Sequence, residues 1–176
     1  GVAREMDIGF EFVEGNAELT PARLVGHFDP ARVLSEGYAP DVFVAGPLAA
    51  ALQDGSLLYI EELNRVPEET LNVLITVMSE REITVPRLGR LEAAPGFRLV
   101  AAMNPCRCGH ALDPGYSCGR GPVQRCASQY QARLSGPLLD RIDLQIEAPA
   151  VSAADLILPA PAEGSADVAR RVARAR

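Results

Sequence analysis

Lysine is absent from this 176-residue chain; all 17 basic residues are arginine. A phosphate-cradling loop of the G-x-x-x-x-G-K-[ST] type needs a lysine to reach the β- and γ-phosphates. These residues therefore encode no such loop. No apolar run approaches the roughly 18 residues of a membrane span, and no leader pattern opens the chain. The expectation is a cytoplasmic protein with no membrane partner. An initiator methionine is also missing. Gly1 opens directly on GVAREMD, which reads as the tail of a helix, so the N-terminal part of a larger protein is expected to precede it. Positive charge is scarce: the net charge is −6, which argues against a surface that coats nucleic acid throughout. The deficit is uneven. Residues 1–104 hold 16 acids and 8 arginines, whereas residues 105–176 hold 7 acids and 9 arginines.

What is present suits one globular domain with a substantial core, at 48% hydrophobic residues. GFEFVEGN (9–16) alternates and reads as a strand. LTPARLVGHFD predicts a short helix with Pro21 in its first turn. GPLAAALQDG (46–55) predicts a helix closed by glycine. SLLYIEE (56–62) is a short buried strand. VPEETLNVLITVMSE places Leu71, Leu74, Ile75 and Met78 on one helical face. Residues 81–105 read as a hairpin followed by a strand over 97–102. PLLDRIDLQIEAP (137–149) reads as a last strand. The tail is a Pro/Ala linker that becomes a helix at Ser165. Alternating strands and helices imply crossovers and a parallel sheet, hence an α/β fold.

SLLYIEE ends on two carboxylates, Glu61 and Glu62. In a nucleotide hydrolase, such a pair supports magnesium with the first acid and activates water with the second. The alternative is a pair of solvated acids capping the following helix. A second apolar strand, FRLVAAMNP, ends on Asn104. Ligands gather at the carboxyl ends of strands in an open parallel sheet, so Glu61, Glu62 and Asn104 are expected to converge. Taken alone, Asn104 could equally be the turn residue before Pro105. All four cysteines, Cys106, Cys108, Cys118 and Cys126, fall within 21 residues. Clustered thiols in a cytosolic protein suit zinc better than disulfides. His110 is a substitute ligand, and a loop of reduced thiols is the alternative.

The stretch from Gly55 to Pro105 closely resembles the AAA+ ATPases of the MoxR and magnesium-chelatase clade. The resemblance implies a partial AAA+ P-loop NTPase core: a parallel sheet flanked by helices. It places the Walker B acids at Glu61 and Glu62, with Glu where the family usually has Asp, and sensor 1 at Asn104. It also makes residues 14–47 the clade's insertion in its second helix and residues 83–98 the hairpin before sensor 1. Residues 1–104 look MoxR-like. NPCRCGHALDPGYSCGRGP, YQARLSGPLLDRIDLQIEAP and EGSADVARRVARAR look instead like the ComM-type magnesium-chelatase-like proteins of DNA uptake and recombination. The core would span 1–150, and 151–176 would be a linker and the start of a helix leading to the C-terminal lid.

The resemblance further implies an arginine finger at Arg141, in LLDRID, acting on the neighbouring subunit's nucleotide. A guanidinium suits charge spread over a transferring phosphoryl group; a surface pair with Asp140 or Asp143 is the alternative. It implies ATP and magnesium as cofactors and a homo-oligomeric ring, six-membered as in the family. The hairpin arginines Arg87 and Arg90 would face the pore, holding nucleic-acid phosphates or standing as solvated charges. The substrate would be DNA on the ComM side, protein or a metal-cofactor assembly on the other. A non-catalytic, zinc-clasped interaction module with vestigial ATPase motifs is the alternative from another class.

Overall fold

The computed structural model describes residues 8–110, 118, 122–148, 151, 157–159 and 163–175. Its centre is a parallel three-stranded sheet in the order β1 (Phe10–Glu14), β4 (Leu57–Glu61), β7 (Arg98–Ala101). Register pairs Glu14 with Glu61 and Ile60 with Ala101, so all three strands finish at one edge. β4 is central and has lost the alternation of a half-exposed strand: Leu57, Leu58 and Ile60 are all buried. At about 1.5–3 kcal/mol for each fully buried side chain, this run anchors the strand that carries Glu61.

The first helix is interrupted. α1 (Pro21–Val25) starts on a Thr20 cap and stops at Gly26. The chain then forms β2 (Gly26–Phe28), α2 (Pro30–Glu36) and β3 (Phe43–Ala45), with β2 and β3 antiparallel. It re-enters at Gly46, whose N–H donates to the Val25 carbonyl at 2.9 Å. α3 (Pro47–Asp54) follows and ends on Gly55 in the left-handed conformation. The insertion in a helix is therefore a β-α-β excursion between α1 and α3. The sequence expectation of helix up to Asp29 fails at Gly26, where φ of +126° ends it.

α4 (Glu68–Glu80) buries Thr70, Leu71, Leu74 and Val77 on the core, with Ile75 and Met78 packed at its margin. The Thr70 hydroxyl donates to the Leu19 carbonyl at 2.6 Å, tying α4 to the loop before α1. β5 (Glu82–Val85) and β6 (Gly89–Glu92) form the expected antiparallel hairpin ahead of β7. α5 (Val123–Gln131), α6 (Gly136–Leu139) and α7 (Ser165–Ala175) complete the described helices. No helix among the described residues is long and apolar enough to cross a membrane.

One expectation is corrected. Residues 137–149 do not begin as a strand: Pro137 sits in the first turn of α6, and residues 142–148 are irregular. A strand needs a partner for its backbone groups, and no described strand flanks this segment. Leu144 and Ile146 consequently stand 79% and 85% exposed. Most of the expected linker after Val151 lies outside the described residues.

Candidate active site at the sheet edge

Glu62 follows β4 directly and takes a left-handed backbone, φ 52° and ψ 46°. That conformation costs about 1–2 kcal/mol for a non-glycine residue. It is held by its neighbours: Leu63 N–H donates to the Ala102 carbonyl at 3.0 Å, and Gly15 N–H to the Glu61 carbonyl at 2.7 Å. The turn swings the Glu62 carboxylate towards β7. There the Asn104 amide donates to Glu62 Oε1 at 2.9 Å, across 42 positions of sequence. The Tyr130 hydroxyl, from α5, donates to Glu62 Oε2 at 3.4 Å.

Glu62 and Asn104 thus converge as the strand ends predict. The capping alternative for Glu62 has no support, since its side chain makes no cap bond and the acids in the first turn of α4 are Glu68 and Glu69. Glu61 is exposed at the end of β4, adjacent in chain, and its carboxylate accepts no hydrogen bond among the described residues.

A pocket of about 460 Å³ opens beside this pair, lined by Glu62, Asn104, Arg65, Arg107, Gln129, Tyr130, Arg133 and Cys126. Three guanidiniums face one carboxylate, so the pocket is net positive and suits an anion. The sequence reading did not single out Arg65, Arg107, Arg133 or Tyr130. They come from three separate segments, and only folding brings them together.

Gly15 is a further hidden contributor. A Cβ there would lie 2.5 Å from the Glu62 carbonyl oxygen and 2.7 Å from that of Glu61. Gly15→Ala is therefore expected to push the Glu62 turn off its position and destabilise the fold by about 1–3 kcal/mol. Chemical unfolding checks this, with Gly136→Ala as control because a Cβ at Gly136 meets nothing within 4 Å. Equal midpoints for the two variants would contradict the close approach.

Arg141 lies elsewhere. Its guanidinium donates to Ser79 Oγ on α4 and to the Pro137 carbonyl, instead of pairing with Asp140 or Asp143. It does not line the Glu62 pocket of its own chain. Of the hairpin arginines, Arg90 Nε donates to Glu82 Oε1 at 3.0 Å across β5–β6, and Arg87 stacks over Tyr38 at 3.7 Å. Both are engaged within the chain.

Cys126, in the lining of the pocket, belongs to a cluster of thiols. The sulfurs of Cys106, Cys108 and Cys126 all lie within 4.8 Å of one another, and Cys118 is buried in the same cluster. Burial would push the Cys106 thiol up. Hydrogen bonds from the Cys108 thiol and from the backbone N–H groups of Cys108, Gly109 and His110 outweigh it and bring the thiol down to about 7. The same thiol–thiol bond raises Cys108.

The family model for magnesium chelatase, subunit ChlI, matches residues 43–156. The chain belongs to this family. The match carries Glu61, Glu62, Asn104, Arg141 and all four cysteines, and it crosses residues 103–105, where the MoxR-like and ComM-like resemblances meet. This magnesium-chelatase family chain has a partial AAA+ core. Uncharacterised proteins of Staphylococcus epidermidis and Staphylococcus aureus are 36% and 38% identical to it over 101 residues, 56% of this chain. The chain's match spans 38% of their length. In fold it is similar to a crystal structure of a candidate ATPase from Cytophaga hutchinsonii. That likeness has a TM-score of 0.55 at 19% identity, over 98% of this chain and 40% of the other.

Proposed function

We propose that this chain is the catalytic-edge part of a ring-forming AAA+ ATPase that uses ATP hydrolysis for remodelling. One observation carries the reading: Asn104 hydrogen-bonds Glu62 at the ends of adjacent parallel strands, beside a pocket walled by three arginines. Glu62 is the acceptor that polarises an attacking water, held in direction by Asn104 and Tyr130. Asn104 orients a terminal phosphate with the rest of its amide. Arg65, Arg107 and Arg133 supply donors for phosphate oxygens at one wall.

Glu61 fits magnesium, being an exposed, unengaged oxygen ligand one residue from Glu62. When bound, the ion would offset phosphate charge. The curated relatives extend well beyond the matched part, and the lysine-bearing Walker A loop belongs to that remainder in this reading. The outer edge of β7, with Val100 45% exposed, and the unpaired residues 142–148 are the places for the strand that precedes such a loop. Arg141, outside its own chain's pocket, acts as the finger for the next subunit of a homo-oligomeric ring.

Phosphate release tests the reading. These 176 residues alone are expected to release none above background, because they hold no lysine. The longer parent protein is expected to hydrolyse ATP and to lose most of that rate with Asn104→Ala. Hydrolysis by the parent that is indifferent to Asn104→Ala would sink the assignment.

A further inference from the structure

Helix α5 has an unusual attachment to the body of the protein. Among its described side chains, Cys126 alone is buried. None of its described side chains belongs to the main core, whose described members come from other parts of the chain. Its links to the strand ends are polar: Gln131 donates to the Pro105 carbonyl at 3.0 Å, and Tyr130 donates to Glu62. Two such bonds contribute only about 0.5–1.5 kcal/mol each. Among the described side chains the remaining anchor is the thiol cluster, which joins Cys126 on α5 to Cys106 and Cys108, just after Asn104.

The cluster has the chemistry of a metal site. Cys106 and Cys108 sulfurs are 2.9 Å apart, the Cys118 thiol hydrogen-bonds Cys108, and all four cysteines are unbridged. A tetrahedral zinc with about 2.3 Å bonds sets sulfurs about 3.8 Å apart. The sulfurs of Cys106, Cys108 and Cys126, already within 4.8 Å of one another, need only small shifts to reach that spacing. Backbone N–H groups of Cys108, Gly109 and His110 point at the Cys106 sulfur. Gly109, at φ +85°, makes the tight turn that aims them. Donors of this kind stabilise a thiolate ligand.

We propose that Cys106, Cys108, Cys118 and Cys126 form a structural zinc centre that clamps α5 over the Glu62–Asn104 pocket. The metal joins the chain just after sensor residue Asn104 to the helix that presents Tyr130. The wall of the pocket is then set by the metal and not by apolar packing. Neither claim needs the ATPase reading to hold, and no readout below depends on turnover.

The test uses protein purified without chelators and under reducing conditions. Metal analysis should find about one zinc per chain, since a tetrahedral site uses four ligands. Cobalt added to metal-free protein should give intense thiolate-to-metal charge-transfer bands that zinc abolishes. Removing the metal should raise amide hydrogen exchange over residues 123–131 by at least about tenfold, leaving β4 and β7 protected, because metal binding and local folding are linked. Cys126→Ser should reproduce that local effect in the presence of zinc. Absence of zinc together with absence of a cobalt–thiolate band in the unsubstituted protein would overturn the centre. Metal binding with unchanged exchange in α5 would overturn the clamp. The cobalt titration needs no variant, so a misfolded Cys126→Ser protein leaves the proposal open to refutation.

Discussion

Glu62→Gln in the proposed parent ATPase should lower kcat by about 10²–10⁴-fold, the range for removing a positioned general base, while nucleotide still binds. The amide keeps the size of the carboxylate and can still accept the Asn104 hydrogen bond, now 2.9 Å long, through its carbonyl oxygen. The second oxygen becomes an NH₂ group, which cannot take a proton from water. The backbone is untouched, since glutamine meets the same left-handed geometry at φ 52° with the same Cβ. Loss of rate therefore isolates the missing base from any loss of fold. Glu61→Gln provides the contrast, weakening magnesium-dependent nucleotide binding because its carboxylate is the one left free for a metal. Phosphate release gives kcat, and titration with a fluorescent nucleotide gives Kd in both variants. A Glu62→Gln protein that keeps its kcat within a factor of about three would remove Glu62 from the chemistry altogether.

Much of this edge was legible in the sequence, for a physical reason. β4 and β7 are apolar runs that end abruptly on polar residues, and a parallel sheet delivers such ends to one place. That much brings Glu62 and Asn104 together, while the hydrogen bond between them is seen only in the folded chain. Other parts needed the folded chain. The arginines at 65, 107 and 133 sit in a 3₁₀ turn, a cysteine loop and the segment after α5, so no spacing rule links them. Gly15 reads as a strand-end glycine, yet its role depends on two carbonyl oxygens from β4 and the turn after it. The misread strand over 137–149 has the opposite cause. Its alternation of Ile142, Leu144 and Ile146 is a real signal, but strand structure also requires a hydrogen-bonding neighbour, and a local pattern cannot supply one. For the cysteines, spacing suggested metal, but it could not show that Cys126 is the one buried residue among the described side chains of α5.

Arg141→Ala is expected to cost about 10³–10⁵-fold in kcat with nucleotide binding intact, the range for arginine fingers. The reasoning rests on where Arg141 is absent. It lies outside the pocket of its own Glu62 and is turned towards Ser79 and the Pro137 carbonyl, on an exposed face. A guanidinium held there stands outside its own chain's pocket, and a neighbouring copy in a ring can bring a second site to it. Its hydrogen bonds to two neutral oxygens leave the charge uncompensated, as stabilising a phosphoryl transition state requires. Mixing separates this from a surface role. Arg141→Ala subunits retain Glu62, and Glu62→Gln subunits retain Arg141. In a mixed ring some interfaces join an intact Glu62 to an intact finger, so two nearly inactive proteins should recover measurable turnover together. Phosphate release across a series of mixing ratios should rise and fall with a maximum between the two pure proteins. If size analysis shows mixed rings and the rate stays flat across all ratios, Arg141 does not act between subunits, and its contacts with Ser79 and Pro137 are structural.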